Sequence, residues 1–188
     1  MHSGRPEPSR RHAALHATGT AAQRPADADH CDADDRVAVI DEQQTDVDVD
    51  RLGRLARFVL DRLDVPAELQ VSVTCVDIGR ITALNETHLD GSGPTDVLAF
   101  PIDGVDDVAP GVPGLLGDVV VCPQVAYGQA SEHGRSTDEE IDLLVVHGLL
   151  HLLGHDHALP DERARMFGLT DDLLADFAAP TARDERPR

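Results

Sequence analysis

Three histidines lie close together in the run HGLLHLLGHDH, at positions 147, 151 and 157. His147 and His151 are four residues apart, so on an α-helix their side chains project from one face about one turn apart. Gly154 follows, and glycine readily adopts the left-handed conformation that ends a helix and reverses the chain. Such a turn would direct His157 toward the same point. The run therefore predicts that three neutral imidazoles bind one metal ion and leave a position open, as in catalytic zinc sites.

Two alternatives concern the same run. Histidines at helical spacing in a leucine-rich stretch are often polar residues at the edge of a core. A glycine followed by a third histidine is hard to explain by packing alone, which favours metal binding. His155 competes for the third position because it lies four residues after His151. Gly154 should break that helical row, so we favour His157 as the third ligand.

The spacing HxxxHxxGxxH is also that of the metzincin zinc proteases. Those enzymes carry glutamate directly after the first histidine as the general base, whereas this chain has Gly148. A metal hydrolase without that base relies on the acidity of metal-bound water, on the substrate's phosphate or on a residue elsewhere. Peptide hydrolysis is therefore disfavoured, and phosphodiester chemistry is favoured.

The run HGLLHLLGHDH closely resembles the HGxLHLxGxDH signature of the YbeY family of metal-dependent endoribonucleases. The resemblance continues in LNETHLDGSGPTDVLAFP (84–101), in LGDVVVCPQVA (116–126) and in DERARMFGLTDDLLA, and so covers roughly residues 37–178. It implies an α/β fold, one histidine-bound zinc ion per chain, and cleavage of ribosomal RNA with a preference for single strands. The expected role is 16S rRNA 3′-end maturation and ribosome quality control.

One position departs from the family pattern. Many members carry an arginine, thought to assist at the phosphate, five positions before the proline of the PTDVLAFP segment, where this chain has Leu89. Either another arginine neutralises the developing phosphate charge or cleavage is slow. Arg80 and Arg135 are available, but the sequence places neither beside the metal.

The catalytic side chain remains unknown, with metal-bound water as the expected nucleophile. Asp118 is a weak catalytic candidate: either it lines the cleft beside the metal, or it is a strand-edge residue that bonds backbone amides. Asn85, Thr95 and Asp96 are candidates for substrate binding, but each can equally hold a turn. Asp156 is predicted to orient a metal-binding imidazole without binding the metal itself.

The charge of the chain is unfavourable for an RNA enzyme. The formal net charge is −19, and all 16 basic residues are arginine. We expect weak binding of free RNA unless arginines form a local groove or a basic protein partner brings the RNA. One source of positive potential is the arginine row of the first predicted helix, and the partners expected are ribosomal RNA, ribosomal proteins or an assembly GTPase. The alternative function is a zinc-stabilised ribosome-assembly factor with little cleavage of its own.

Composition divides the chain into three segments. Residues 1–36 lack apolar periodicity and are predicted to be a disordered extension, 37–178 the functional domain, and 179–188 a flexible tail. No segment has the apolar stretch of a secretory signal or a membrane span, which predicts a cytoplasmic protein without a membrane partner. The three cysteines form no CxxC pair and are interpreted as reduced thiols.

Hydrophobic periodicity predicts an α/β fold: a single domain with a small mixed four-stranded sheet, about five helices and a zincin-like metal helix. Ser136 or Thr137 is expected to cap that metal helix. The segment 102–114 is rich in Gly, Pro and Asp and is predicted to be a loop. The other elements that the pattern predicts are strands at 37–40, 69–76, 96–100 and 117–121, and helices at 48–63, 78–89 and 161–178.

Overall fold

The computed structural model describes residues 36–88, 91–105, 107–109 and 111–179 of the 188-residue chain. Within these residues, the predicted α/β class, single domain, mixed four-stranded sheet and about five helices are confirmed. The predicted N-terminal extension and C-terminal tail lie almost wholly outside the described residues and stay predictions. The elements are, in chain order, β1 (Val37–Asp41), α1 (Val49–Arg62), β2 (Leu69–Cys75), α2 (Ile78–His88), β3 (Val97–Pro101), β4 (Gly114–Val121), α3 (Pro123–His133), α4 (Thr137–Leu152) and α5 (Pro160–Ala178).

The four strands form one sheet in the order β1-β2-β4-β3. β1, β2 and β4 are parallel, and β3 pairs antiparallel with β4, with Val97 opposite Val121. The connection between β3 and β4 was predicted as a loop over 102–114. β4 in fact begins at Gly114, three residues before the predicted start at Gly117, because Leu69 and Gln70 of β2 extend the pairing to Gly114 and Leu115.

The main hydrophobic core covers one face of the sheet, and a smaller apolar cluster covers part of the other face. Along β2 burial alternates, as the sequence pattern predicts for a strand with one face in a core. Val119 and Val121 of β4 belong to the main core with α1, α4 and α5. Val120 between them belongs to a second cluster with Ile81 of α2. The valine run of β4 is therefore buried on both sides of the sheet.

Helix α4 carries the first two histidines and packs against β3, β4 and the helices α1, α3 and α5. The Ser136 hydroxyl accepts a hydrogen bond from the Glu139 amide at 3.2 Å, and the Glu139 carboxylate accepts one from the Ser136 amide at 2.8 Å. This capping box confirms Ser136 as the predicted cap. Although α4 is buried on most sides, no helix in the described part of the chain is long and apolar enough to cross a membrane.

Helix α3 is the element that the sequence analysis missed. Its hydrophobic pattern is weak, and in the structure only three of its residues are buried. Its ends do carry sequence signals: Pro123 lies in the first turn, where proline is favoured, and Gly134 at the C-terminal cap adopts a left-handed conformation. The omission affects the functional site, because α3 contributes two side chains to the cleft described below.

Cys75 is expected to be unreactive in the native protein. Its side chain is fully buried at the end of β2, and burial raises the pKa of its thiol to about 12. Because the thiolate is the reactive species, iodoacetamide should modify Cys75 at neutral pH at least about 100-fold more slowly in the native than in the urea-unfolded protein. Peptide mapping by mass spectrometry measures both rates; comparable rates would contradict the burial of this thiol.

Candidate metal centre

The structure brings His147, His151 and His157 together at one point. One nitrogen from each imidazole can be chosen so that the three atoms lie within 4.8 Å of one another. The ring centroids are 4.7 Å apart for His147 and His151, 5.1 Å for His151 and His157, and 5.4 Å for His147 and His157. His155 is exposed and lies outside this group. The arrangement therefore matches the histidine set that the sequence analysis favours.

The local backbone explains how His157 reaches the cluster. After α4 ends, Gly154 adopts a left-handed conformation with φ of 83°. Its amide donates to the His151 carbonyl at 3.0 Å, and the His155 amide donates to the Leu150 carbonyl at 3.0 Å. This hydrogen-bond pair is the Schellman motif that terminates helices and turns the chain. The predicted role of Gly154 in ending the helix is thus confirmed.

The environment favours neutral imidazoles. The pKa of His147 is lowered to about 4, chiefly by burial and then by the neighbouring His151 and His157, while the charge of Asp96 opposes the shift. Burial also lowers the pKa of His151. At neutral pH both rings therefore present uncharged nitrogen atoms with a free lone pair, the form in which histidine binds metals.

The residues present fit a bound zinc ion. His147 Nδ1 is buried without a hydrogen-bond partner among the described residues. An unsatisfied buried polar atom costs about 1–3 kcal/mol, a cost that a ligand bound to this nitrogen would relieve in part. Three imidazole nitrogens without a carboxylate suit zinc and similar transition metals rather than magnesium or calcium, which prefer oxygen atoms.

The cluster lies in a cleft of about 620 Å³, within the usual size range of small-molecule sites. Thr95 and Asp96, predicted to bind substrate, both line this cleft. The Asp96 carboxylate is held by three donors: the Val97 amide at 2.8 Å, the Thr95 hydroxyl at 3.1 Å and Gln129 Nε2 at 3.0 Å. Asp96 is therefore a rigidly positioned negative charge facing the histidine cluster.

A second charged group lines the same cleft on the side of α3 and the start of α4. Glu140 is buried, with 2% of its side chain exposed. One of its oxygens lies 2.9 Å from His133 Nδ1, and the other accepts a hydrogen bond from Arg135 Nη1 at 3.1 Å. A buried carboxylate requires such partners, so Glu140 fixes both basic side chains at the wall of the cleft.

The other candidate residues lie elsewhere. Asp118 lines a separate pocket and accepts a hydrogen bond from Ser72. It immediately precedes Val119, whose side chain faces Gly148 of α4, and successive side chains of a strand point to opposite faces. The structure therefore places Asp118 on the face of the sheet away from the histidines.

Asn85 and Asp156 hold backbone in place. Asn85 Nδ2 donates to the Gly93 carbonyl at 3.0 Å, which fixes the segment leading into β3, and Asn85 is not among the residues that line the cleft. The exposed Asp156 carboxylate accepts the His157 amide at 2.6 Å. Its contact is with the backbone of His157, so it positions this residue through the main chain.

Several residues of the cleft have no signal in the sequence analysis. Gln129 and His133 belong to the missed helix α3, and Phe167 and Asp171 project from α5. The Phe167 ring stacks near His147, with centroids 5.9 Å apart. The periodicity of α5 predicts the helix but not which of its faces meets the histidines. Leu89, which replaces the arginine of many relatives, lies outside the described residues.

The arginine row of the first helix does not form a free basic surface. Arg51 pairs with the buried Asp142, Arg54 with Asp48 and Arg62 with Asp176. Arg57 also has an interaction partner. Carboxylates therefore balance much of the positive charge that the sequence suggests for α1.

Comparison with known proteins shows the family of this chain. The family model described as Endoribonuclease YbeY matches residues 38–178. The chain belongs to the YbeY family. Endoribonuclease YbeY of Thermobifida fusca is 47% identical over 153 residues, which cover 80% of this chain and 99% of the relative. The Beutenbergia cavernae YbeY is 50% identical over 145 residues, covering 75% and 96% respectively.

The fold is similar to that of a solved structure. The solution structure of TM1509 from Thermotoga maritima superimposes with a TM-score of 0.51 at 22% identity, covering 80% of this chain and 99% of that one. Membership in the YbeY family supports an endoribonuclease role, that is, hydrolysis of phosphodiester bonds in RNA. The YbeY family resemblance seen in the sequence is thereby confirmed.

Proposed function

We propose that this chain is a zinc-dependent endoribonuclease that prefers single-stranded RNA and acts in the cytoplasm on ribosomal RNA, in 16S 3′-end maturation and ribosome quality control. The observation that carries the proposal is the cluster of three histidines in a cleft, in a chain of the YbeY family. An unpaired strand offers both its bases and its backbone to the side chains of such a cleft.

The residues of the cleft have distinct roles in this proposal. His147, His151 and His157 would hold the zinc ion. When bound, the ion supplies Lewis acidity, which polarises a phosphoryl oxygen and makes water a better nucleophile at neutral pH. Asp96, fixed by its hydrogen bonds, holds a negative charge beside His147 and is proposed to contact the substrate together with Thr95. Asn85 would act indirectly by holding the segment before β3.

A second candidate function follows from the charges of the cleft. Asp96, Glu140 and Asp171 line it, and among its described lining residues only Arg135 carries a permanent positive charge. Such a surface repels free RNA. The chain would then be a zinc-stabilised ribosome-assembly factor that cleaves little by itself and acts with ribosomal proteins or an assembly GTPase.

A cleavage assay separates the two functions. A single-stranded fragment from the 3′ region of 16S rRNA is incubated with zinc-loaded protein, with chelated protein and with chelated protein restored by zinc, and a duplex of the same sequence is the control. We expect cleavage of the single strand by the loaded and restored samples only. Zinc at one ion per chain with no cleavage in any sample, and an unchanged fold by circular dichroism, would favour the assembly factor.

A further inference from the structure

The guanidinium of Arg135 is a positive charge among the carboxylates that line the cleft. The chain contains no lysine, and of the described residues lining the cleft only Arg135 carries an arginine side chain. Three carboxylates line the same cleft, those of Asp96, Glu140 and Asp171. A polyanionic ligand that enters this cleft therefore depends strongly on the few positive charges it meets, because each acidic group opposes its approach.

Arg135 is held in place by a buried anchor. Its Nη1 donates to Glu140 at 3.1 Å, and Glu140 is 2% exposed while the Arg135 side chain is 41% exposed. Arginine has five N–H donors in a rigid fork, so this contact leaves further donors available to a ligand. Glu140 also contacts His133 at 2.9 Å, so Arg135 is not its sole partner. The anchor presents a preorganised guanidinium at the cleft wall.

Arg135 also lies where two pockets adjoin. The histidine cleft and a second pocket of about 340 Å³ share Arg135, Leu143 and Asp171 in their linings. The second pocket contains another arginine, Arg51, but its Nε and Nη2 both bond to Asp142. Two neighbouring pockets suit a chain-like ligand with one unit in each, and in a nucleic acid the group that links two units is a phosphate.

We propose that Arg135 binds the backbone phosphate of single-stranded RNA that links a nucleotide in the histidine cleft to one in the second pocket. Guanidinium groups recognise phosphate oxygens through charge-assisted and often bidentate hydrogen bonds. The proposal rests on the proposed function because it takes RNA as the ligand. Under this proposal Arg135, which is held in place by Glu140, is the cationic side chain that contacts the substrate phosphate.

The test measures binding without cleavage. Zinc-loaded wild type, Arg135→Gln and Arg80→Gln are titrated into a fluorescent single-stranded 2′-O-methyl oligonucleotide at a series of KCl concentrations, with oligonucleotide integrity checked on a gel. Arg80 is exposed on α2 and lines neither pocket, which makes it a matched control. We expect Arg135→Gln to raise the Kd about 10-fold and to reduce the salt slope by about 0.7, with Arg80→Gln close to wild type.

A double variant separates phosphate binding from the support of Glu140. Arg135→Gln leaves Glu140 with fewer partners and can reduce thermal stability, whereas Arg135→Gln/Glu140→Gln removes both charges and allows an amide–amide hydrogen bond. The double variant should still bind more weakly than wild type, because it lacks the guanidinium even though one opposing carboxylate is also removed. Wild-type affinity and salt slope in both variants would overturn the proposal, as would absence of measurable binding by the wild type.

The two proposals can fail separately. Weaker binding by Arg135→Gln, together with no cleavage by the zinc-loaded wild type, would reject the proposed nuclease function and support the phosphate contact. Zinc-dependent cleavage by the wild type, with Arg135→Gln equal to it in both Kd and salt slope, would support the nuclease and reject the role of Arg135.

Discussion

The His151→Ala variant is expected to lose the zinc ion that we propose binds here and at least about 100-fold of the proposed RNA cleavage activity. His151 is the middle residue of the cluster, with ring centroids 4.7 Å from His147 and 5.1 Å from His157. Its removal leaves two imidazoles, which is too few for the three-ligand arrangement of catalytic zinc sites. Metal content by mass spectrometry and cleavage of a single-stranded rRNA fragment, measured on the same samples, check the result.

His155→Ala is the matched control for this variant. His155 is exposed, lies in the same turn after α4 and is outside the cluster. We expect this variant to keep one metal ion per chain and to cleave within about twofold of wild type, since no ligand is removed. The ligand assignment would be wrong if His155→Ala lost the metal and His151→Ala kept it.

The second large effect is expected at Gly148, where α4 lies against the sheet. A Cβ atom at this position would lie 2.6 Å from Val119 Cγ1 and 3.3 Å from Val97 Cγ2. Both neighbours are β-branched side chains on strands, and Val119 is fully buried. Overpacking of this kind costs about 1–3 kcal/mol, which exceeds the gain of about 1 kcal/mol from replacing a helical glycine with alanine. Gly148→Ala should therefore lower the free energy of unfolding, as measured by urea denaturation.

Gly168 provides the opposite case in the same fold. It lies within α5, and a Cβ atom there would meet nothing within 4 Å. Gly168→Ala should thus show only the helix-propensity gain of about 0.5–1 kcal/mol. Equal effects of the two substitutions would show that the contact with Val119 does not limit residue size at position 148.

The packing at Gly148 also bears on chemistry. The sequence shows only that a glycine replaces the glutamate that metzincins use as general base. The structure adds that any larger side chain at this position meets β3 and β4. The cleft is therefore built without a carboxylate at the position after His147, and the negative charge beside the cluster comes from Asp96 on the segment before β3. The packing at position 148 therefore leaves no room for the glutamate that a metzincin protease uses as its general base.

Local features of the site could be predicted from the sequence because they depend on short-range geometry. The spacing of His147 and His151 places both on one face of a helix whatever surrounds it, and Gly154 favours the turn that brings His157 to them. The Ser136 cap depends equally on a few neighbouring residues. Strand β2 can be predicted from its alternating hydrophobic residues, and strand β4 from its valine content. Each of these features needs only a few consecutive residues.

The rest of the site was decided by tertiary structure, because it depends on contacts between residues far apart in the chain. Whether Asp118 or Asp96 faces the histidines depends on strand register and on which face α4 covers, and neither can be read from residue type. Arg135 and Glu140 become part of the cleft only through the packing of α4 against β3 and of α3 against α4. The sequence by itself determined the histidine set and the family; the three-dimensional packing determined which charges surround that set, since a side chain's partners across the fold are fixed only when the elements pack.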